Sequence, residues 1–413
     1  MPSTPPEGEP APRDGALPAA ALGELDAALA GRGPRHGFGV YVHVPYCSSR
    51  CGYCDFNTYT AAELGEGVSR STYADQAIAE IRLARRVLGD RELPVATVFV
   101  GGGTPTLLPL GDLGRILAAV RDEFGLLDDA EVTTEANPDS VDARSLQRLR
   151  DDGFTRVSFG MQSTAQHVLT VLERTHTPGR AVASVADARA VGFEHVNVDL
   201  IYATPGETEA DFARSLDDAI ASGADHVSAY SLIVEDGTRL AARVRRGELP
   251  DVDDDVAADR YVQADEALTA AGFSWYEVSN WARLGGECRH NLGYWRGDDW
   301  WGVGPGAHSH VRGVRWWNVR HPVAYAQRIA LGESPAQARE LLAPADRLVE
   351  DVLLRVRLRE GLPLAALTGP GLDVASRVVD DGLAEPAAYA MGRLVLTLRG
   401  RLLADALVRD LLD

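Results

Sequence analysis

A chain of 413 residues, 45% hydrophobic and 24% charged, has the composition of a globular protein and the length of one large domain plus a smaller one. Its net charge of −19 repels nucleic acid at long range, and no apolar run is long enough to cross a bilayer, so nucleic-acid-binding and membrane-spanning classes are set aside. Of the four cysteines, three fall between Cys47 and Cys54, a crowding wrong for a secreted disulfide framework and right for a metal site in a reducing compartment; with no signal-peptide pattern, a cytoplasmic location is expected.

Residues 1–37 are rich in Pro, Ala and Gly and lack a strand pattern, which predicts a disordered tail, with Ala19 to Ala30 patterned as a short helix. From Phe38 onward, six β-branched or apolar runs recur: Phe38 to Val44, Ala96 to Val100, Glu131 to Thr134, Arg156 to Phe159, His195 to Leu200 and His226 to Leu232. Helical patterns separate them. One covers Thr72 to Leu88, and another, Asp112 to Phe124, carries Leu113, Ile116, Leu117 and Val120 on one face; a third starts at Thr208 with Asp211 as its capping-box partner. Strands alternating with helices predict parallel βα units, and six are too few for a closed eight-fold barrel. The expected fold is therefore α/β, a partial (β/α)6 barrel over 38–249 whose chemistry sits on the loops after the strands.

After about Pro250 the texture changes. All seven tryptophans lie between Trp275 and Trp317, in a stretch expected to complete the site over 250–340. Residues 341–413 read as a small α+β domain resembling a winged helix, yet with nine Lys or Arg against eleven Asp or Glu they lack the charge to hold DNA.

The strongest chemical signal is Cys47-Ser-Ser-Arg-Cys51-Gly-Tyr-Cys54, spaced C-x3-C-x2-C, on the loop after the first run. Three thiolates on one tight loop can bind three irons of a [4Fe–4S] cubane and leave the fourth open, where electron-transfer clusters usually carry a fourth cysteine. The open iron suits the amine and carboxylate of S-adenosylmethionine (SAM), whose sulfonium a reduced cluster can cleave. A zinc site with His43 or Cys288 as fourth ligand is the competing reading. Gly101-Gly102-Gly103-Thr104, after the second run, would let a ligand's carboxylate approach bare amide groups. Glu135, Gln162, Arg174 and Asp199 stand at or beyond strand ends and together suit the hydroxyls, carboxylate and amine that SAM presents.

Tyr41-Val-His43-Val-Pro-Tyr-Cys47, the Gly-Gly-Gly-Thr-Pro-Thr loop, Ser158-Phe-Gly-Met-Gln162 and Asp199-Leu-Ile-Tyr-Ala-Thr-Pro-Gly resemble the oxygen-independent coproporphyrinogen III oxidase family, over roughly nine tenths of the chain. The resemblance implies that Tyr41, Gly102 and Glu135 contact cluster-bound SAM. It implies that Tyr53, Gly103, Thr104, Gln162, Arg174 and Asp199 lie near a second SAM or the substrate. Two departures point to a sister branch. Decarboxylating members resemble C-x3-C-x2-C-x-C, and the position of that fourth cysteine is Phe56 here; His290-Asn-Leu-Gly-Tyr294-Trp295 resembles a motif of the radical SAM haem chaperones. That branch implies haem as a further ligand, a haem acceptor protein as partner, with a membrane-bound acceptor compatible, and no porphyrinogen decarboxylation.

Haem is a large flat apolar ring and needs an aromatic site able to supply an axial nitrogen or sulfur. The tryptophan-rich stretch holds His290, His308, His310 and Cys288, and the expected axial ligand is His290, with Asn291 and Tyr294 orienting its imidazole. The competing reading is that such tryptophans pack a core and such a histidine is hydrogen-bonded structure.

Overall fold

The computed structural model describes residues 8–31, 38–64 and 69–412. Fifteen strands are present among them: β1 (Glu9–Pro10), β2 (Phe38–Val44), β3 (Val95–Gly102), β4 (Leu126–Ala136), β5 (Arg156–Gln162), β6 (His195–Tyr202), β7 (His226–Ser231), β8 (Ser274–Glu277), β9 (Asn280–Ala282), β10 (Trp300–Val303), β11 (His308–Val311), β12 (Val314–Asn318), β13 (Ala336–Leu341), β14 (Leu362–Pro363) and β15 (Arg393–Leu394). Thirteen form one sheet in the order β1-β13-β12-β11-β10-β2-β3-β4-β5-β6-β7-β9-β8, and β14 pairs with β15 in a second.

The run β2 to β7 is parallel throughout, the partial barrel expected from the alternating pattern. Its strands are β-branched and buried on both faces because helices cover the outside. Helix Asp112–Phe124 turns Leu113, Ile116, Leu117 and Val120 onto the sheet. Helix Glu209–Ala221 begins at Thr208, whose hydroxyl accepts from the Asp211 amide while the Asp211 carboxylate accepts from the Thr208 amide, the reciprocal cap its sequence encodes.

The segment after Pro250 supplies both flanks of this barrel. At one edge β9 adds antiparallel to β7 and β8 to β9. At the other, β10 adds to β2 in parallel, a seventh parallel strand, and β11, β12 and β13 follow antiparallel. Trp275, Trp281, Trp301, Trp316 and Trp317 are all buried, so most of the tryptophans are packing residues, as the competing reading held.

The expectation of a disordered tail fails for residues 8–31. Strand β1 pairs with β13, helix Ala19–Gly31 forms where its pattern predicted, and Leu25 is fully buried in the main core. Two backbone pairings on an already ordered edge and one buried leucine hold a segment that composition alone reads as unstructured. Residues 1–7 and 32–37 lie outside the described residues.

Residues beyond β13 pack their own core, with Val352, Val356, Leu362, Ala375, Leu394 and Leu407 at its centre. This unit docks on the β8 edge. Arg401 makes a paired contact with Asp265 at 2.9 and 3.0 Å, and its guanidinium lies 4.3 Å over the Trp275 ring.

Candidate active-site mouth and barrel floor

We call the C-terminal ends of the parallel strands the upper end. Cys47, Cys51 and Cys54 stand there, all three partly exposed thiols, on the loop that follows β2. The loop is held on two sides. On one side Gly52 of the loop donates its N–H to Leu172 O at 3.0 Å and its carbonyl accepts from Leu240 N–H at 2.9 Å. Past the last cysteine, the Asn57 amide donates to Pro305 O at 3.0 Å and to Arg320 O at 2.8 Å.

The glycine turn after β3 runs beside this loop. Gly103 N–H donates to Val44 O at 2.7 Å and Thr104 N–H to Tyr46 O at 2.8 Å. A Cβ on Gly103 would stand 2.5 Å from Tyr46 O and 3.0 Å from Cys47 Sγ, so only glycine permits this approach. Gly102, at φ +109°, donates its N–H to Glu135 Oε2 at 2.9 Å. Burial, helped by the Asp199 charge, pushes Glu135 up to about 8, so at neutral pH this carboxyl holds a proton much of the time.

The other expected residues divide between two spaces. Arg174 donates to Cys51 Sγ at 3.5 Å and to Gly160 O at 3.0 Å, and with Cys51, Cys54, Arg50 and Arg239 it lines an upper cavity of about 770 Å³. Tyr53 packs on the apolar cluster of Val168, Leu172, Ile201 and Leu232. Tyr41, Glu135, Asp199 and His290 share a smaller internal cavity of about 130 Å³. Asp199 accepts from Ser158 Oγ at 2.9 Å and from Asn197 Nδ2 at 2.8 Å, and Tyr41 is bonded to His43 Nδ1 at 2.9 Å. Gln162 ends β5 at φ +65°, a left-handed conformation unusual for a side-chain-bearing residue.

His290 is not at this end. It sits on helix Arg289–Arg296, which plugs the lower end of the barrel, and it is 3% exposed. Its Nδ1 is bonded to Thr97 Oγ1 at 2.8 Å and its Nε2 to Tyr294 OH at 2.8 Å, while its ring stacks on Phe99 with centroids 5.4 Å apart. Burial pushes its pKa down to about 4. With both nitrogens hydrogen-bonded, this geometry favours the competing structural reading of His290. Asn291 is directed to Glu277 Oε1 at 3.0 Å rather than to the imidazole.

The motif's partners were missed from sequence. The Glu131 carboxylate, 4% exposed, accepts from Arg156 Nε at 3.2 Å, from Arg289 N–H at 3.1 Å and from His290 N–H at 3.0 Å, capping the plug helix. Glu131 and Arg156 open two strand runs, and charges there were the available signal. Cys288 donates to Glu131 Oε1 at 3.4 Å, and burial pushes its thiol far up. The zinc reading loses both fourth ligands: Cys288 belongs to the floor, and His43 is bonded at both nitrogens, to Tyr41 and to Asn57 O at 2.9 Å. Among the described residues no group of three or more His, Cys, Asp or Glu side chains is placed to hold a single metal ion.

A [4Fe–4S] cluster fits the upper site on its chemistry. The donors are three thiols and no carboxylate, on one loop beside a roomy cavity. Burial, with the neighbouring thiols, pushes Cys47 up to about 11 and raises Cys54, so these groups stay protonated until iron supplies positive charge.

Residues 41–219 match the radical SAM superfamily. Heme chaperone HemW of Mycobacterium tuberculosis, strains CDC 1551 and H37Rv, is 56% identical over 380 residues, covering 92% of this chain and 96% of the relative. Heme chaperone HemW of Escherichia coli K12 is 35% identical over 354 residues, covering 84% of this chain and 90% of that one. Among solved structures, the radical SAM enzyme coproporphyrinogen III oxidase (HemN) of Escherichia coli superposes with a TM-score of 0.77 at 23% identity over 97% of this chain and 94% of that one, a likeness of fold. A chain 56% identical to one relative across 92% of its own length and 96% of the relative's belongs to the HemW family of the radical SAM superfamily.

Proposed function

We propose that this chain is a haem chaperone: it binds haem and passes it to an acceptor protein, and it carries a SAM-chelated [4Fe–4S] cluster on Cys47, Cys51 and Cys54. The observation that carries the reading is the 56% identity to heme chaperone HemW across 96% of that protein's length. Phe56 agrees with it, an exposed aromatic where decarboxylating relatives resemble one another in having cysteine.

When bound, the cluster and SAM supply one-electron cleavage of a carbon–sulfur bond at the upper mouth. The chain's own residues position the ligand. The Gly102–Gly103 turn would receive SAM's methionine end, and Glu135 fixes that turn by accepting the Gly102 N–H. Tyr41, on β2, would contact the bound SAM. Arg174 donates to Cys51 Sγ, and with Tyr53, Thr104, Gln162 and Asp199 it would face the substrate side or a second SAM.

Anaerobic reconstitution followed by two assays tests the proposal. The loaded protein should bind haem, release it to an apo-haem protein, and leave coproporphyrinogen III unchanged in the presence of SAM and reductant. Repeated turnover to protoporphyrinogen would replace the chaperone reading with a decarboxylase.

A further inference from the structure

Four candidate haem ligands lie between Trp275 and Trp317, and three are committed elsewhere. His290 and Cys288 belong to the barrel floor. His310 is bonded at both nitrogens, Nδ1 to Asp298 O at 3.0 Å and Nε2 accepting from Gly313 N–H at 3.0 Å. The fourth is His308. Among the described residues its imidazole makes no hydrogen bond, it is only half-buried, and its one ring contact is a stack on Trp317 at 5.9 Å and 26°.

Strand register fixes which way it faces. Trp300 pairs with both Gly39 and His310, so alternation puts His308, two residues from His310, on the same side as Tyr41, two residues from Gly39. Tyr41 lines the internal cavity, so His308 stands on the concave side of the sheet. It also stands at the upper end. The turn before β11 is clamped to the cysteine loop by Asn57, whose amide reaches Pro305 O, and Phe56, 47% exposed, adjoins that clamp. Burial, with the charges of Arg315 and Arg320 adding, pushes the imidazole down to about 4, so it offers a neutral nitrogen lone pair at physiological pH.

We infer that His308 is the axial ligand of the haem iron, with Trp317 stacked on its imidazole to fix the ring's orientation, and that the cargo therefore sits on the cysteine side of the barrel. The inference rests on the haem reading above. Its formation is a coordinate bond from one imidazole nitrogen to iron, with no change of oxidation state.

The test is a titration of the full-length, cluster-reconstituted chain with haemin and, separately, with iron-free protoporphyrin. His308→Ala should weaken haemin binding by about tenfold or more and shift the Soret band, as loss of an iron ligand does. Added imidazole should restore the band, and affinity for iron-free protoporphyrin should be unchanged. His308→Gln, closer in volume, should reproduce the spectrum of His308→Ala with an unchanged far-ultraviolet circular dichroism signal. A wild-type Soret band and affinity in both variants overturns the ligand assignment alone. Failure of the unaltered chain to bind haemin overturns the chaperone reading together with it.

Discussion

At the upper end of the barrel the reactive side chains face open space; at the lower end they face one another. Cys51, Cys54 and Arg174 border a cavity of about 770 Å³. Thr97, Gly39 and His290 border about 110 Å³, and the two oxygens of Glu131 take four donors between them. Both ends carry a motif that sequence reading treats as chemical, one cysteine-rich and one led by histidine. The difference teaches that a motif's role is decided by what its polar atoms already meet. A side chain whose hydrogen bonds are complete is building the fold, and one with spare capacity is available to a ligand.

The largest expected effect breaks the upper end alone. Replacing Cys47, Cys51 or Cys54 by Ala should abolish cluster loading, read as iron, acid-labile sulfide and charge-transfer absorbance, with little change in thermal unfolding of the unloaded chain. Cys288→Ala should load fully. Full loading in Cys51→Ala, or loss of the cluster in Cys288→Ala, would collapse the distinction.

Second in size is a cut through the lower end. Glu131→Ala leaves the Arg156 guanidinium, 1% exposed on its side chain, without its carboxylate and uncaps the plug helix. Stranding one member of a buried pair costs about 3–5 kcal/mol. Urea unfolding should show that loss, while cysteine reactivity at the upper end stays as in the unaltered chain. A change under 1 kcal/mol, on the scale of an exposed pair, would mean the floor is not built on this carboxylate.

The barrel core and the upper motif were legible because their signals are local. Six β-branched runs, a helix face at Leu113, Ile116, Leu117 and Val120, and the Thr208–Asp211 cap each lie within a few residues and appeared where expected. Strand β10 was not legible. Four residues, Trp-Trp-Gly-Val, join β2 in parallel across more than two hundred residues, and nothing in a short run names its partner. Strand β1 is shorter still, and its order comes from the edge it joins. The surroundings of the histidine motif were hidden for a related reason. Sequence gives His290's identity and spacing but not Thr97 and Tyr294 at its two nitrogens, the first of them nearly two hundred residues away.

Acid offers a way to loosen the lower end by titration. Asp225, just ahead of β7, accepts from His195 Nδ1 at 2.7 Å, from Val196 N–H at 2.8 Å and pairs with Arg189 at 2.8 Å. Burial alone would raise its pKa, but these donors outweigh it and hold the carboxyl at about 2, below its ordinary 3.8. A depressed folded pKa means that the stabilisation is fully present above the unfolded value and is lost as pH falls through the folded one. The loss should therefore run from about pH 4 to about pH 2 and amount to roughly 2 kcal/mol. Unfolding measured across that window should be less pH-dependent in Asp225→Asn. An equal slope in both proteins would place the acid sensitivity in other groups.

The smallest expected effect is the most discriminating for the histidine motif. Tyr294→Phe removes one hydroxyl and keeps the ring that packs edge-on against His290 at 4.8 Å and against Trp300 at 4.7 Å. If the motif is a floor, His290 Nε2 loses its hydrogen bond to Tyr294, and the protein loses about 1 kcal/mol, the scale of one hydrogen bond. The haem spectrum should not move, because on the proposed assignment to His308 the cargo binds at the other end. If His290 ligates haem instead, the hydroxyl competes with iron for the same nitrogen. Its removal should then strengthen haem binding and sharpen the Soret band. Stability and haem affinity move in different experiments under the two readings, so a single substitution with two measurements separates them. A tighter haem complex in Tyr294→Phe would return the axial ligand to the lower end and overturn the division of labour between the two motifs.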